Sequence, residues 1–183
     1  MDRKRPDQGW RAAAFAAALF AITLNFLQPL AHAAMLRGGG TQAAGLQAFE
    51  RGSWAKLRTA HDGKPVVVHL WALTCAPCLV EMPLWGRLAA ERPDMRLVMI
   101  AADPVPQDPS RVSDMIARSG LAKAENWVFA DRFNERLRYE IDPAWGGELP
   151  RTMMIDRDGQ VTMLPGVADL AEVRTWLDKE GNR

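Results

Sequence analysis

The stretch Pro65–Pro83, PVVVHLWALTCAPCLVEMP, limits what this chain can fold into more than any other. Val66, Val67, Val68, Leu70 and Trp71 form a short run of β-branched and aromatic residues, the pattern of a strand covered on both faces. Cys75 and Cys78 follow at the junction with a helix. Pro77 suits that helix's first turn, where its missing N–H has no helical partner to lose. One turn apart, the two cysteines share a face and can close a disulfide at ordinary Cα separations of roughly 4.4–6.8 Å.

That placement gives the pair its chemistry. A thiolate at a helix N-terminus faces unpaired N–H groups and the positive end of the helix dipole, which lowers a cysteine pKa from about 8.5 into a range of roughly 3.5–7.5. Cys75 is therefore the expected attacking thiolate. Cys78, one turn further in, is the expected resolving thiol that breaks a mixed disulfide. Two other readings of the pair stay open, a purely structural disulfide and half of a zinc site. Zinc is disfavoured because structural sites take four ligands and the chain has only two cysteines.

The segment KPVVVHLWALTCAPCLVEMP resembles the active-site region of the thioredoxin superfamily, and more closely that of TlpA- and ResA-like extracytoplasmic thiol:disulfide oxidoreductases. The likeness rests on Lys64-Pro65, Trp71-Ala72, the cysteine pair and Glu81-Met82-Pro83. A second match follows at Leu149-Pro150-Arg151-Thr152, continued by Met153-Met154-Ile155-Asp156 and Asp158-Gly159. Together they anchor a resemblance over about residues 62–180. It implies an α/β, thioredoxin-like fold with a central mixed sheet of four to five strands flanked by helices, preceded here by an N-terminal hydrophobic segment. It implies no organic cofactor, because the redox-active Cys75-Cys78 pair carries the electrons, and a membrane thiol-electron donor that renews the dithiol.

The resemblance also assigns roles around the cysteines. Pro150 is the expected cis-proline lying against them, and a cis X-Pro bond costs only about 0.5–1 kcal/mol over trans. Its loop binds substrate backbone in the family, which makes Leu149 and Arg151 candidates for partner contact or simply the start of a strand. Trp71 and Thr74 are further candidates for the substrate surface. Glu81, three residues after Cys78, corresponds to an acid that moves protons at the resolving cysteine; a solvated helix glutamate is the plain alternative. His69 stands where thioredoxin carries a buried aspartate and TlpA-like proteins often carry asparagine. It is read either as a satisfied core histidine or as a proton carrier near Cys78. Thr74 departs from the tryptophan most relatives place before the first cysteine. The approach to Pro150 through Asp142-Pro-Ala-Trp-Gly-Gly-Glu148 is longer than the family's, and Trp145 either covers the site or packs on the sheet.

The N-terminus reads as an export signal. Arg3, Lys4, Arg5 and Arg11 make a basic flank, and Ala12 to Leu27 is apolar apart from Thr23 and Asn25. Sixteen helical residues reach only about 24 Å at 1.5 Å each, short of a hydrocarbon core of about 30 Å. Ala31-His32-Ala33 offers small residues to a signal peptidase. A cleaved signal, an uncleaved anchor extended to Leu30 or Met35, and a buried soluble helix are the three readings. The first two place the domain in the periplasm, secreted or tethered to the inner membrane, where disulfides persist. Residues 1–33 are thus signal or anchor, 34–52 a Gly-rich linker around Gly38-Gly39-Gly40, and 53–183 the thioredoxin-like domain. Net charge is +1 for the whole chain; removing 1–33 takes away four basic and two acidic residues and leaves −1. Neither value gives the electrostatic footprint of a nucleic-acid binder.

Local signals sketch the remaining elements. Ser53 caps a short helix, Trp54 to Ala60, and an apolar stripe of Leu79, Met82, Trp85, Leu88 and Ala89 carries the post-cysteine helix to about Glu91, with a kink expected at Pro83. Met95 to Ala101 reads as a second buried strand and Trp127 to Ala130 as a short one. Asp108, Asp131 and Asp169 are helix caps. Thr152–Ile155 and Gln160–Leu164 make a hairpin across Arg157-Asp158-Gly159. The functional expectation is an extracytoplasmic disulfide oxidoreductase that mainly reduces disulfides of exported proteins, with cytochrome c maturation or copper proteins as possible client classes. The rival from another class is a metal-handling module in which Cys75 and Cys78 hold Cu(I), with His69 or one of the nine methionines nearby.

Overall fold

β2 (Val66–Trp71) forms where the apolar run predicts it, and all six of its residues are buried. β3 (Leu97–Ala101) pairs with it in parallel, and β5 (Arg151–Ile155) pairs with it antiparallel along the other edge. β6 (Val161–Pro165) completes the expected hairpin with β5, and β4 (Glu125–Phe129) lies parallel to β3. The protein is described by a computed structural model over residues 45–183. The hydrophobic segment 1–33 and the start of the expected linker lie outside the described residues.

The linker expectation changes at its C-terminal end. Leu46–Phe49 is a strand, β1, paired in parallel with β4, so the sheet has six strands in the order β1-β4-β3-β2-β5-β6 rather than four or five. Packing explains it: Leu46 and Phe49 are buried, and the Phe49 ring stacks on Phe129 with centroids 5.4 Å apart. Gly52, in the left-handed region at φ 80°, then turns the chain into α1 (Ser53–Ala60). Ser53 is the first helical residue instead of the cap, and its Oγ accepts from the Glu50 N–H at 2.9 Å.

Helices cover both faces. α2 (Ala76–Glu91) runs unbroken through Pro83, and with α3 (Pro109–Arg118) and α5 (Leu170–Gly181) it packs on one face through Met82, Trp85, Leu88, Val112, Ile116, Val173 and Leu177. α1 and α4 (Asn134–Ile141) cover the other through Leu57, Leu137 and Ile141. Asp108 and Asp169 cap their helices as expected, each carboxylate accepting an N–H two residues on. Asp131 does not cap α4; it accepts from Phe133 N–H and closes the turn before the helix.

Strand direction decides where a site can form. The C-terminal ends of β2 and β3, the start of β5 and the end of β6 meet at one pole, through the pairs Trp71↔Ala101, Leu70↔Arg151 and Arg151↔Pro165. Ligands of open α/β sheets bind at the carboxyl ends of the parallel strands.

Candidate active site

At that pole β2 leaves the sheet, and a turn closed by Cys75 N–H donating to Ala72 C=O delivers the chain to α2. Cys75 is the extended N-cap of α2, and its Sγ accepts from the Cys78 N–H at 3.3 Å. The two cysteines form a disulfide with Cα atoms 5.3 Å apart. Their surroundings differ sharply: Cys78 is completely buried, whereas Cys75 is partly open and its neighbours Thr74, Ala76 and Pro77 are exposed. A thiolate formed at Cys75 would take the place of the cap acceptor, where the first N–H groups of the helix favour negative charge.

Glu81 and His69 lie on the inner side of this helix. Glu81 is 2% exposed; Oε1 accepts from the Ala168 N–H at 2.6 Å, and Oε2 has no partner among the described residues. Burial pushes its carboxyl up from the usual range, and the Ala168 N–H pulls part of that back. His69 is fully buried, with Nδ1 sharing a 2.9 Å hydrogen bond with Thr152 Oγ1 and its ring 4.8 Å from that of Trp85. Burial alone lowers its pKa to about 3, so the imidazole is neutral at ordinary pH. Like Glu81 Oε2, the buried His69 Nε2, Trp71 Nε1 and Trp85 Nε1 have no hydrogen-bond partner among the described residues. Of these, the His69 ring of β2 and the Trp85 ring of α2 lie against one another between strand and helix.

The other candidates separate into surface and support. Thr74 is exposed, but Trp71 is fully buried and holds the cysteine loop from beneath instead of facing a client. Its place in a strand buried on both faces accounts for the difference. The Leu149–Pro150 bond is cis, Pro150 is buried, and Leu149 packs partly against the cluster that also takes Cys75. Arg151 pairs with Asp142 and lies over the Trp145 ring at 5.8 Å, with only 14% of its side chain exposed. Trp145 packs into the core and donates to Glu148 C=O at 2.9 Å, so the long approach loop folds down onto the sheet.

Sequence reasoning passed over several residues of this pole. Val80 and Val167 are exposed apolar side chains at 71% and 62%, and Ala168 supplies the N–H that orients Glu81. Asp103, just beyond β3, accepts from Leu73 N–H at 2.8 Å and from the N–H and hydroxyl of Thr74, each at 3.2 Å. Its only sequence signal was an acid ending a buried strand. For the Cu(I) reading, no three His, Cys, Asp or Glu side chains converge on a common point among the described residues.

Comparison with solved structures settles the architecture. A secreted disulfide oxidoreductase of Mycobacterium tuberculosis, homologous to E. coli DsbE, superposes with a TM-score of 0.54 at 21% identity, over 66% of this chain and 85% of its own. A DsbF homologue from Corynebacterium diphtheriae gives 0.55 at 16% identity, over 67% and 75%. M. tuberculosis DsbF gives 0.52 at 20%, over 66% and 83%. The chain has a thioredoxin fold. No protein-family model and no curated protein matches the sequence. In this thioredoxin fold the disulfide, the cis-proline loop and the end of the β5–β6 hairpin gather at one pole, as the two sequence motifs require.

Proposed function

We propose that the protein is an extracytoplasmic thiol:disulfide oxidoreductase that reduces disulfides of exported proteins. The observation that carries this reading is the asymmetry of the pair, an accessible Cys75 at the helix mouth and a sealed Cys78 behind it. The Cys75 thiolate attacks one sulfur of a client disulfide, forming a mixed disulfide and expelling the client's first thiolate. The Cys78 thiolate then attacks Cys75 Sγ, closing the internal disulfide and releasing the second client thiolate. The client gains two electrons and two protons, and this chain loses them. A membrane thiol-electron donor returns the electrons by the same exchange in reverse.

The remaining residues serve that sequence. Glu81 takes or returns the proton of Cys78: it stands one helical turn further along α2, and burial raises its carboxyl pKa and so favours its proton-holding form. Thr74, Leu149 and the cis-Pro150 loop meet the client backbone, with Val80 and Val167 as apolar flanks. Export is supported by the basic flank and apolar run of 1–33 and by the same fold in a secreted M. tuberculosis oxidoreductase. The test is Cys78→Ser expressed in cells, with mixed disulfides separated on non-reducing gels. Exported proteins held through Cys75 are the expected result, and their absence, with Cys75→Ser giving the same pattern, would remove the proposal.

A further inference from the structure

Asp103 is 4% exposed and stands where β3 runs out, yet its carboxylate reaches sideways to the loop that leaves β2. Three donors converge on it, Leu73 N–H on Oδ2 and both Thr74 N–H and Thr74 Oγ1–H on Oδ1. These are the two residues directly before Cys75. The strand ends beneath are tied by Ala102 N–H donating to Trp71 C=O at 2.8 Å, and Asp103 C=O accepts from the buried Asn134 side chain at 3.3 Å. No Lys, Arg or His pairs with the carboxylate among the described residues. An acid held by neutral donors alone keeps its charge local, and in a poorly hydrated site that charge acts on its neighbours at an effective dielectric far below that of water.

We propose that Asp103 is the positioning residue of the dithiol. It latches the Leu73–Thr74 turn so that Cys75 stays at the mouth of α2 in both redox states, and its charge opposes the Cys75 thiolate. The inference rests on the reductase reading and supplies the direction that the CxxC spacing leaves open. A negative charge that disfavours the thiolate disfavours the reduced form, so the folded protein gives up its electron pair more readily. Asp103 also takes the Thr74 N–H that would otherwise be free at the nucleophile. Glu81 on α2, His69 on β2, the Arg151–Asp142 pair beside β5, Glu148 ahead of Pro150 and Asp131, Arg132 and Glu135 around the start of α4 are the nearest other titratable groups in the chain's packing. Among the described residues only Asp103 gives the Leu73–Thr74 turn a side-chain hydrogen bond.

The experiment is equilibration of wild type, Asp103→Asn and Thr74→Val with defined glutathione ratios at pH 7, read by acid quench and thiol alkylation. Asp103→Asn is expected to move the equilibrium about tenfold toward the dithiol, which is about 30 mV for a two-electron couple. Thr74→Val keeps the charge and both backbone bonds and is expected to move it less than threefold. An unchanged equilibrium in Asp103→Asn, with only its urea midpoint lowered, would reduce Asp103 to a structural residue, and a shift toward the disulfide would reverse the claim. Amide hydrogen exchange of the wild type keeps the inference testable if that variant does not fold. Leu73 and Thr74 should be protected in both redox states, and loss of protection in the dithiol form overturns the latch. Insulin-disulfide reduction by the wild type is measured alongside; its absence removes the reductase reading and leaves the glutathione shift to judge Asp103.

Discussion

Burial makes His69 hard to protonate, and that has a sign. Its folded pKa of about 3 lies below the ordinary 6.5, so between those values the unfolded chain takes up a proton that the folded chain refuses. The contribution is complete above pH 6.5 and is lost as pH falls, at about 1.4 kcal/mol per unit. His69→Gln keeps a partner for Thr152 and removes the proton. Relative to that variant, the wild type should lose about 2 kcal/mol of unfolding free energy between pH 7 and pH 5, measured by urea titration; parallel profiles would show that the imidazole titrates normally in the fold. Glu81 runs the opposite way, because a raised carboxyl pKa gives stability below the ordinary value that is lost as pH rises through it. Both residues were legible as candidates, Glu81 because it stands one helical turn from Cys78 and His69 because it holds the strand position where the family resemblance places a buried aspartate or asparagine. Asp103 was not, because its bonds cross 29 and 30 residues of sequence and no local pattern announces them.

Elements were legible where their signals were local. The Asp108-Pro109 start of α3, the Asp169 cap of α5, the hairpin around Asp158-Gly159 and the apolar stripe of α2 each carry capping, turn or periodic information within a few residues. β1 carries none: four residues beside a Gly-rich stretch become a strand only because β4 offers an edge nearly eighty residues later in the chain. The close approach of α2 and α3 was equally invisible. A Cβ added at Gly86 would stand 1.7 Å from the Ser119 C=O and 2.9 Å from its carbonyl carbon, both backbone atoms at the end of α3. No side-chain rotation relieves that overlap, so the helices must separate. Gly86→Ala should therefore cost at least the roughly 1–3 kcal/mol of ordinary core overpacking. The check is the urea midpoint, with the glutathione equilibrium as control, since Gly86 lies more than two turns from Cys78. A midpoint within experimental error of wild type would mean that the two helices part freely.

Over the whole molecule, folding and disulfide formation are two sides of one thermodynamic cycle. Whatever the disulfide adds to the stability of the fold, the fold adds to the stability of the disulfide. A chain whose folded state favours the dithiol is an oxidant, and one whose folded state favours the disulfide is a reductant. Closing a loop as short as Cys75–Cys78 restricts the unfolded chain by about 2 kcal/mol on the chain-entropy estimate. In the folded state the pair already sits with Cα atoms 5.3 Å apart at the end of a rigid strand, and a buried Cys78 gains nothing from being released as a charged thiolate. The oxidised protein should therefore be the more stable form, by about 2 kcal/mol in urea unfolding with and without dithiothreitol. Asp103 should enlarge the gap and Asp103→Asn narrow it, since its charge weighs only on the reduced state. A reduced form more stable than the oxidised one would reverse the direction of electron flow, turning the same fold and the same two cysteines into an oxidant of exported thiols.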